Sequence, residues 1–204
     1  MVVQLTSGNN WKDPLSAITV NFKNYKVTRL VMRKSIVIDG ALTVTNVSGG
    51  RAFLDVNVVH KMETNTYGLN ITFRDDTVGN SKQVTWYLSN KRTFTNMSGI
   101  LAVSIEGTGT ADGNSNLLVW GKNRNSNDFY TQISSPIVYN AMGSNKCPGL
   151  FISGLKSFKG LTHEMSLTLG LDKDGNPVDQ GSSNCPSFYK IVWPTASAPF
   201  ILPY

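Results

Sequence analysis

The chain has 204 residues, a formal net charge of +6 and 16% charged residues, against about 25% in an average soluble domain. Serine, threonine and asparagine make up more than a quarter of it, which excludes a coiled coil or helical bundle, because those folds need glutamate, lysine, alanine and leucine. The 40% of hydrophobic residues argues against disorder, and no apolar run approaches the ~18 residues of a membrane-spanning helix.

Apolar and polar residues alternate along most of the chain, which predicts β-strands. Successive side chains of a strand point to opposite faces of its sheet, so each strand has a core face and a wetter face. The predicted strands, in chain order, are 27–33, 35–47 with a kink at Gly40, 51–60, 67–74, 82–88, 99–106, 117–121, 163–171 and 188–193. Short turns separate most of them, so we expect one all-β, antiparallel domain over residues 1–204, a sandwich or a barrel.

The same alternation predicts which side chains are inside a two-sheet sandwich. In each strand we take the more apolar phase as the core face. The predicted core residues are Leu54, Val56, Leu101, Val103, Ile105, Met165, Leu167 and Leu169.

Two segments lack the alternation. Residues 123–147 are predicted to form a long irregular loop. The tail, residues 194–204, carries Pro194, Pro199 and Pro203, which should prevent a regular strand and hold it extended. Its apolar side chains are expected to pack against this domain or a neighbouring one, and they are the candidate subunit-interface residues: Phe200, Ile201, Leu202 and Tyr204.

No constellation of residues predicts catalysis or metal binding. The two histidines, His60 and His163, have no nucleophile motif beside them and are expected at a surface or interface. Residues 172–176 match the start of a calcium loop, but Pro177 replaces the required glycine and no glutamate follows at position twelve. A tight turn is the expected structure there. We therefore predict no enzyme, no metal site and no cofactor.

Cys147 and Cys185 are too few for a disulfide scaffold. A disulfide between them is one alternative, and two free thiols are expected if the compartment is reducing. The opening residues lack the basic start and apolar run of a signal peptide, so we expect synthesis without secretion if Met1 is the initiator. Three Asn-X-Ser/Thr matches, at Asn46, Asn70 and Asn96, are then chance matches in so polar a chain.

Positive charge is concentrated in the first third of the chain. Residues 1–61 carry eight Lys/Arg and three Asp/Glu, a balance of +5. Such a cluster either faces phosphates or protects a solvated strand edge. The candidate nucleic-acid-facing residues are Lys23, Lys26, Arg29, Arg33 and Lys34.

Three stretches carry a resemblance to a known family: KSIVIDGALTVTNVSGGRAFLDVNVVHK, RTFTNMSGILAVSIEGTGT and the proline-rich apolar end PTASAPFILPY. They resemble the small coat proteins of plant secoviruses of the comovirus and cheravirus type, which are picorna-like jelly rolls. The segment 140–187 lies outside the resemblance.

The resemblance implies a jelly-roll sandwich whose copies or sister subunits form an icosahedral shell around RNA. It also implies a virion assembled in the host cytoplasm, weak non-specific RNA contact and no membrane. A shell subunit needs extended termini that reach neighbours, because one subunit cannot cover its own rims.

A second class stays open, a carbohydrate- or receptor-binding β-sandwich such as a spike domain, adhesin or lectin. The same composition is compatible with it. Five aromatic residues either fill the core or stack on sugars or bases; they are Trp86, Tyr87, Trp120, Phe129 and Tyr130. The size of the native assembly discriminates between the two classes.

Overall fold

A computed structural model describes residues 1–29, 31, 33–75, 78–97, 100–142, 147–160, 164–178, 184–194, 196 and 198–204. Within these residues the regular structure is β-sheet, with no α-helix, so the predicted all-β class is confirmed. The strands are β1 (Val2–Ser7), β2 (Ser16–Arg29), β3 (Lys34–Asn46), β4 (Val58–Asp75), β5 (Asn80–Met97), β6 (Ile100–Gly107), β7 (Gly109–Ala111), β8 (Asn114–Lys122), β9 (Asp128–Met142), β10 (Leu150–Gly160), β11 (Glu164–Leu171), β12 (Phe188–Val192) and β13 (Phe200–Pro203).

The strands form one antiparallel, hydrogen-bonded sheet. Its order is β1-β2-β3-β4-β5-β6-β9-β10-β11-β12-β13, and β8, which also pairs with β7, lies against β5 and β9. Most neighbours are consecutive in sequence, which is the order of a meander. A jelly roll is built from Greek keys, whose strands pair across long connections. The jelly-roll type is therefore not confirmed.

The register of the long strand pairs shifts within their length. Between β3 and β4 the shift follows Gly40, the position of the predicted kink, and shifts of this kind bend a strand. Gly40 has a φ of 130°, and a Cβ there would lie 3.1 Å from the carbonyl oxygen of Gly68. A side chain would force these two strands apart, so glycine is what permits the close approach.

Among the described residues, two clusters of buried side chains stand out, and further buried apolar residues such as Ile71, Leu117 and Leu171 lie outside them. Val58, Phe94 and Val103 form the first, and Ile133, Ile137 and Leu169 the second. Of the predicted core residues, Val103 and Leu169 are buried. Leu101, Ile105, Met165 and Leu167 are partly buried.

Leu54 and Val56 are corrections, because they are 63% and 62% exposed. Residues 51–57 form a turn rather than the start of a strand. The carboxylate of Asp55 accepts the Arg51 backbone N–H at 2.7 Å and also pairs with the Arg51 guanidinium. Local side-chain bonds of this kind compete with strand pairing, so β4 begins only at Val58.

Residues 128–142 are a second correction, because they form the strand β9 within the predicted loop. β9 pairs with β8 up to Gln132 and with β6 from Ile137. Pro136 lies between the two partners, where a missing N–H costs least. The polar residues around the proline hide the strand from a search for alternation.

The turn predicted at residues 172–176 is confirmed. Asp172 Oδ1 accepts the backbone N–H groups of Asp174 and Asn176, each at 2.9 Å. The Asn176 bond is the first cause that holds the pKa of Asp172 below its ordinary value. An aspartate that accepts its own loop's amides stabilises the turn without a cation.

The two cysteines form a disulfide, with 5.3 Å between the Cα atoms of Cys147 and Cys185. The bond closes a loop that contains β10 and β11. The alternative of two free thiols is therefore not what the structure shows.

His60 is a further correction, because it is buried rather than at a surface. Its ring lies 5.0 Å from that of Trp11 and 4.8 Å from that of Phe94. Burial first, and the positive charge of Arg92 second, lower the pKa of His60. His163 lies outside the described residues.

The buried His60 predicts a pH dependence of stability. In the unfolded chain the histidine side chain binds a proton near pH 6.5. In the native protein the pKa of His60 is lower, so the side chain stays neutral to a lower pH. The free energy of unfolding should therefore be constant above that pH and fall as the pH decreases toward the native pKa, by up to about 1.4 kcal/mol per pH unit. Urea titrations of the native chain and of His60→Gln between pH 7 and 5.5 measure this. Equal slopes for the two proteins would contradict it.

Candidate subunit and nucleic-acid interfaces

The C-terminal tail ends in a strand, which corrects the expectation that its prolines prevent one. β13 pairs with β12 in the register Ile191↔Phe200 to Phe188↔Pro203. Pro199 precedes the strand and Pro203 ends it, positions where an edge strand tolerates a missing N–H. Residues 200–203 of the tail thus belong to the sheet of their own domain.

Two of the four interface candidates, Ile201 and Tyr204, contact their own domain, although Tyr204 is still 44% exposed. The Tyr204 hydroxyl donates to the Phe151 carbonyl at 3.2 Å and accepts the Gly170 N–H at 2.9 Å. Burial raises the pKa of Tyr204. Ile201 packs against Gly175, where a Cβ would approach its Cδ1 to 2.8 Å. These contacts hold the tail on the β10–β12 part of the sheet.

Phe200 and Leu202 are exposed, at 53% and 39%. They lie on one face of β13, since they are two residues apart. The outer edge of β13 has no strand partner within the described chain. Two of the predicted interface residues thus remain available at an open edge.

β1 forms the opposite edge of the sheet. All six of its residues are exposed, including Val2, Val3 and Leu5. Its sequence, VVQLTS, contains no proline and no charged residue. Monomeric β proteins usually protect an edge with those residue types, because an open edge pairs with other chains. β1 carries no such residue, although its pairing with β2 has a bulge near Leu5.

The chain exposes 11924 Å², compared with about 9,400 Å² for a compact monomer of this mass. The difference follows from a wide sheet with few buried apolar side chains. It exceeds the roughly 800 Å² that each partner buries in a standard interface.

The five predicted nucleic-acid-facing residues are all exposed, but they do not share one face. Arg29 and Lys34 are register partners at the end of the β2–β3 hairpin. Lys26 lies an odd number of residues from Arg29 and points to the other face. Lys23 lies in the β2 register shift, and Arg33 itself has a left-handed φ of 49° next to the start of β3.

The structure brings two distant cations toward Arg29 and Lys34. Lys82 and Arg124 line a cavity of about 330 Å³ together with Phe73, Asn80, Ser81 and Asn125. Asp75 links the groups, since its carboxylate lies 4.0 Å from Lys34 Nζ and 3.6 Å from Arg124 Nη2. We call Arg29, Lys34, Lys82, Arg124 and Asp75 the basic corner.

Sequence reasoning missed Lys82 and Arg124. Neither lies in a run of basic residues, and they are far along the chain from Lys34. Strand pairing places them: Lys34 is the partner of Asp75, and Asp75 of Asn80. The Asn-rich turn after β8 brings Arg124 to the same carboxylate.

The basic corner has four cations against one carboxylate. Two of the cations, Lys82 and Arg124, line the cavity together with two amides, a hydroxyl and the Phe73 ring. That chemistry suits a phosphate group, because lysine and arginine donate charge-assisted hydrogen bonds to its oxygens. The exposed positions mean that salt would screen the interaction.

Within the described residues, no group of three or more metal-ligating side chains is close enough to hold an ion. No helix there has the length and apolar character needed to cross a membrane.

No protein-family model matches the chain, and no curated protein or solved structure matches it either. The resemblance to secovirus coat proteins therefore stays a prediction.

Proposed function

We propose that the chain is a structural capsid protein whose copies or sister subunits assemble into an icosahedral shell enclosing RNA. The observation that carries the proposal is the edge strand β1, which is uncharged and exposed along its whole length and includes three exposed apolar side chains, Val2, Val3 and Leu5. An open edge of this kind readily pairs with a strand of another chain.

In the proposed assembly, β1 of one subunit pairs with the outer edge of a neighbour's β13. This contact joins two different surfaces, so it can repeat from subunit to subunit. The repeated contact closes into a shell only if each subunit is rotated relative to the last by an angle that brings the chain of contacts back on itself. Burial of Val3, Leu5, Phe200 and Leu202 stabilises it, at about 25 cal/mol per Å² of apolar area. Ile201 and Tyr204 support the contact by fixing the tail on its own domain. The proposal requires these edges and not a jelly-roll order of strands.

The basic corner faces the RNA in this proposal. Four cations contact phosphates weakly and without sequence preference, and the contact weakens as salt increases. Lys23 and Lys26 are assigned no part in it, because they lie outside the corner.

Val3→Lys tests the assembly. A lysine on the edge strand should block pairing with a neighbour while leaving the fold intact, since Val3 is exposed. We expect particles from the native chain, loss of particles from Val3→Lys and unchanged thermal melting, measured by sedimentation and electron microscopy. Val56→Lys, exposed in a turn, is the control and should assemble. Monomers from the native chain, or normal particles from Val3→Lys, would refute the proposal.

Charge reversal tests the RNA contact. Arg29→Glu combined with Lys82→Glu should reduce RNA content in particles. It should also lower the slope of log K against log salt for single-stranded RNA by about 0.7 per lost phosphate contact. Lys23→Glu, exposed and outside the basic corner, is the matched control. Identical slopes for all three proteins would remove the basic corner from the proposal.

A further inference from the structure

Three aromatic side chains form a row across the middle of the sheet. Tyr87 on β5 is the register partner of Trp120 on β8, and Trp120 is the partner of Tyr130 on β9. Register partners in antiparallel strands point to the same face, so the three side chains share one face. The outer two strands of the row are about 10 Å apart, given the spacing of roughly 4.8 Å between strands.

This aromatic row (Tyr87, Trp120 and Tyr130) differs from the other predicted aromatics. Trp86 and Phe129 contact one another at 5.4 Å on the opposite face, and Trp86 Nε1 donates to the Lys122 carbonyl. The rings of Tyr87 and Trp120 lie nearly parallel, 5.6 Å apart and at 17°, and both residues are half-buried. The expectation of core packing holds for Phe129, which is buried, and not for the row.

Backbone geometry supports the position of Trp120. A side chain at Gly109 would collide with the indole ring, so the ring lies directly over the β7 backbone. Packing on a backbone that has no side chain fixes the orientation of the indole before any ligand arrives. Preorganisation of this kind lowers the entropic cost of binding.

Two cavities adjoin the row, and Tyr87 and Trp120 line both. One has about 270 Å³ and is also lined by Asp112, Asn114 and Tyr130. The other has about 290 Å³ and is also lined by Glu63, Asn65 and Ser89. Each is slightly smaller than the roughly 300–1,000 Å³ of typical small-molecule sites, and the two share Tyr87 and Trp120 in their linings. A ligand that extends across these two side chains would need about two linked rings.

The polar groups around the row are nearly balanced in charge. Lys61 pairs with Glu63 at 2.7 Å, and Lys122 pairs with Asp128 at 2.8 Å. Asp112 remains as a carboxylate acceptor in the β7–β8 turn. This site therefore differs from the basic corner, because it offers no excess positive charge to an anion.

Asn114 adds a second oriented acceptor. Its Nδ2 donates to the carbonyls of Ala111 and Asp112, at 3.4 and 3.2 Å. The amide is thereby held with Oδ1 turned away from those carbonyls. A carboxylate and an amide oxygen on one short turn are suited to the adjacent hydroxyls of a sugar ring.

We propose that the aromatic row and its two cavities bind a neutral oligosaccharide. The rings stack on the apolar C–H faces of two pyranose units, and Asp112 and Asn114 accept hydrogen bonds from their hydroxyls. The balanced charge disfavours phosphorylated or sialylated ligands. The site belongs to the single chain, so it does not depend on the proposed shell.

A glycan array with neutral and acidic oligosaccharides tests the proposal, followed by calorimetric titration of the neutral glycan that binds best. Trp120→Ala should weaken binding at least about tenfold. Trp193→Ala, a tryptophan outside both cavities, should leave affinity unchanged. Because Trp120→Ala removes packing on Gly109, Asp112→Asn serves as a second variant. Asparagine tolerates the left-handed φ of 50° at this position, so the melt should be unchanged, while loss of the carboxylate should weaken binding about three- to tenfold.

Several results would overturn the proposal. They are an array on which no neutral glycan binds the native chain, binding of acidic glycans alone, and binding that survives both Trp120→Ala and Asp112→Asn. Sedimentation of the same preparations reports assembly separately, so failure of the shell and failure of the glycan site are distinguishable.

Discussion

Leu117→Ala should lower the free energy of unfolding by about 2–5 kcal/mol, the range for large-to-small changes at well-packed sites. Leu117 has no exposed surface. It lies in β8 with register partners Gly109 on β7 and Gln132 on β9. Strands on both sides prevent the site from collapsing into the space left by the side chain, so the cavity term adds to the lost burial.

Leu54→Ala is the matched control, since it makes the same chemical change at an exposed position. Its effect should stay within about 0.5 kcal/mol. Urea unfolding of the native chain and both variants, with the m-values compared, gives the two differences. A larger loss of unfolding free energy for Leu54→Ala than for Leu117→Ala would contradict the turn at residues 51–57. It would support the strand with a buried Leu54 that the alternation predicts.

Replacing both cysteines, Cys147→Ala with Cys185→Ala, should cost about 4 kcal/mol. The two residues are 38 apart in sequence, and the loop-entropy model gives about that value for a loop of this length. Urea midpoints of the oxidised chain, the double variant and the native chain with reductant measure the effect. The reduced native chain should match the double variant. An unchanged midpoint on reduction would contradict a disulfide in the folded protein.

The disulfide also bears on where the proposed shell is stable. Disulfides persist in oxidising surroundings and are rare in the cytosol. A subunit assembled in a reducing cytoplasm, as the secovirus resemblance implies, would carry two thiols there. It would gain the stability of the closed loop only after oxidation.

The alternation of apolar and polar residues was sufficient for the fold class. It predicted the strands that become β3, β6 and β11, and it placed Val103 and Leu169 in the core. The kink at Gly40 and the turn at residues 172–176 were also predictable. Each depends on a local property: a glycine without a Cβ, or an aspartate that accepts bonds from its own loop.

The interfaces were only partly predictable. The apolar tail and the basic residues near the β2–β3 hairpin were visible in the sequence. Sequence analysis did not predict the open edge β1 or the addition of Lys82 and Arg124 to the basic corner. Whether a strand is an edge, and which cations meet, depends on pairings between residues far apart in the chain.

Sequence alone determined that apolar residues recur at every second position, and hence that the chain forms a sheet, because this alternation is a property of each strand by itself. Tertiary structure decided which alternating segments pair. Residues 51–57 alternate but form a turn around Asp55, whereas residues 128–142 hardly alternate yet form β9 between two partners. The aromatic row exists only because β5, β8 and β9 adjoin in one register. Burial and register are set by the neighbouring strands, and those contacts are non-local.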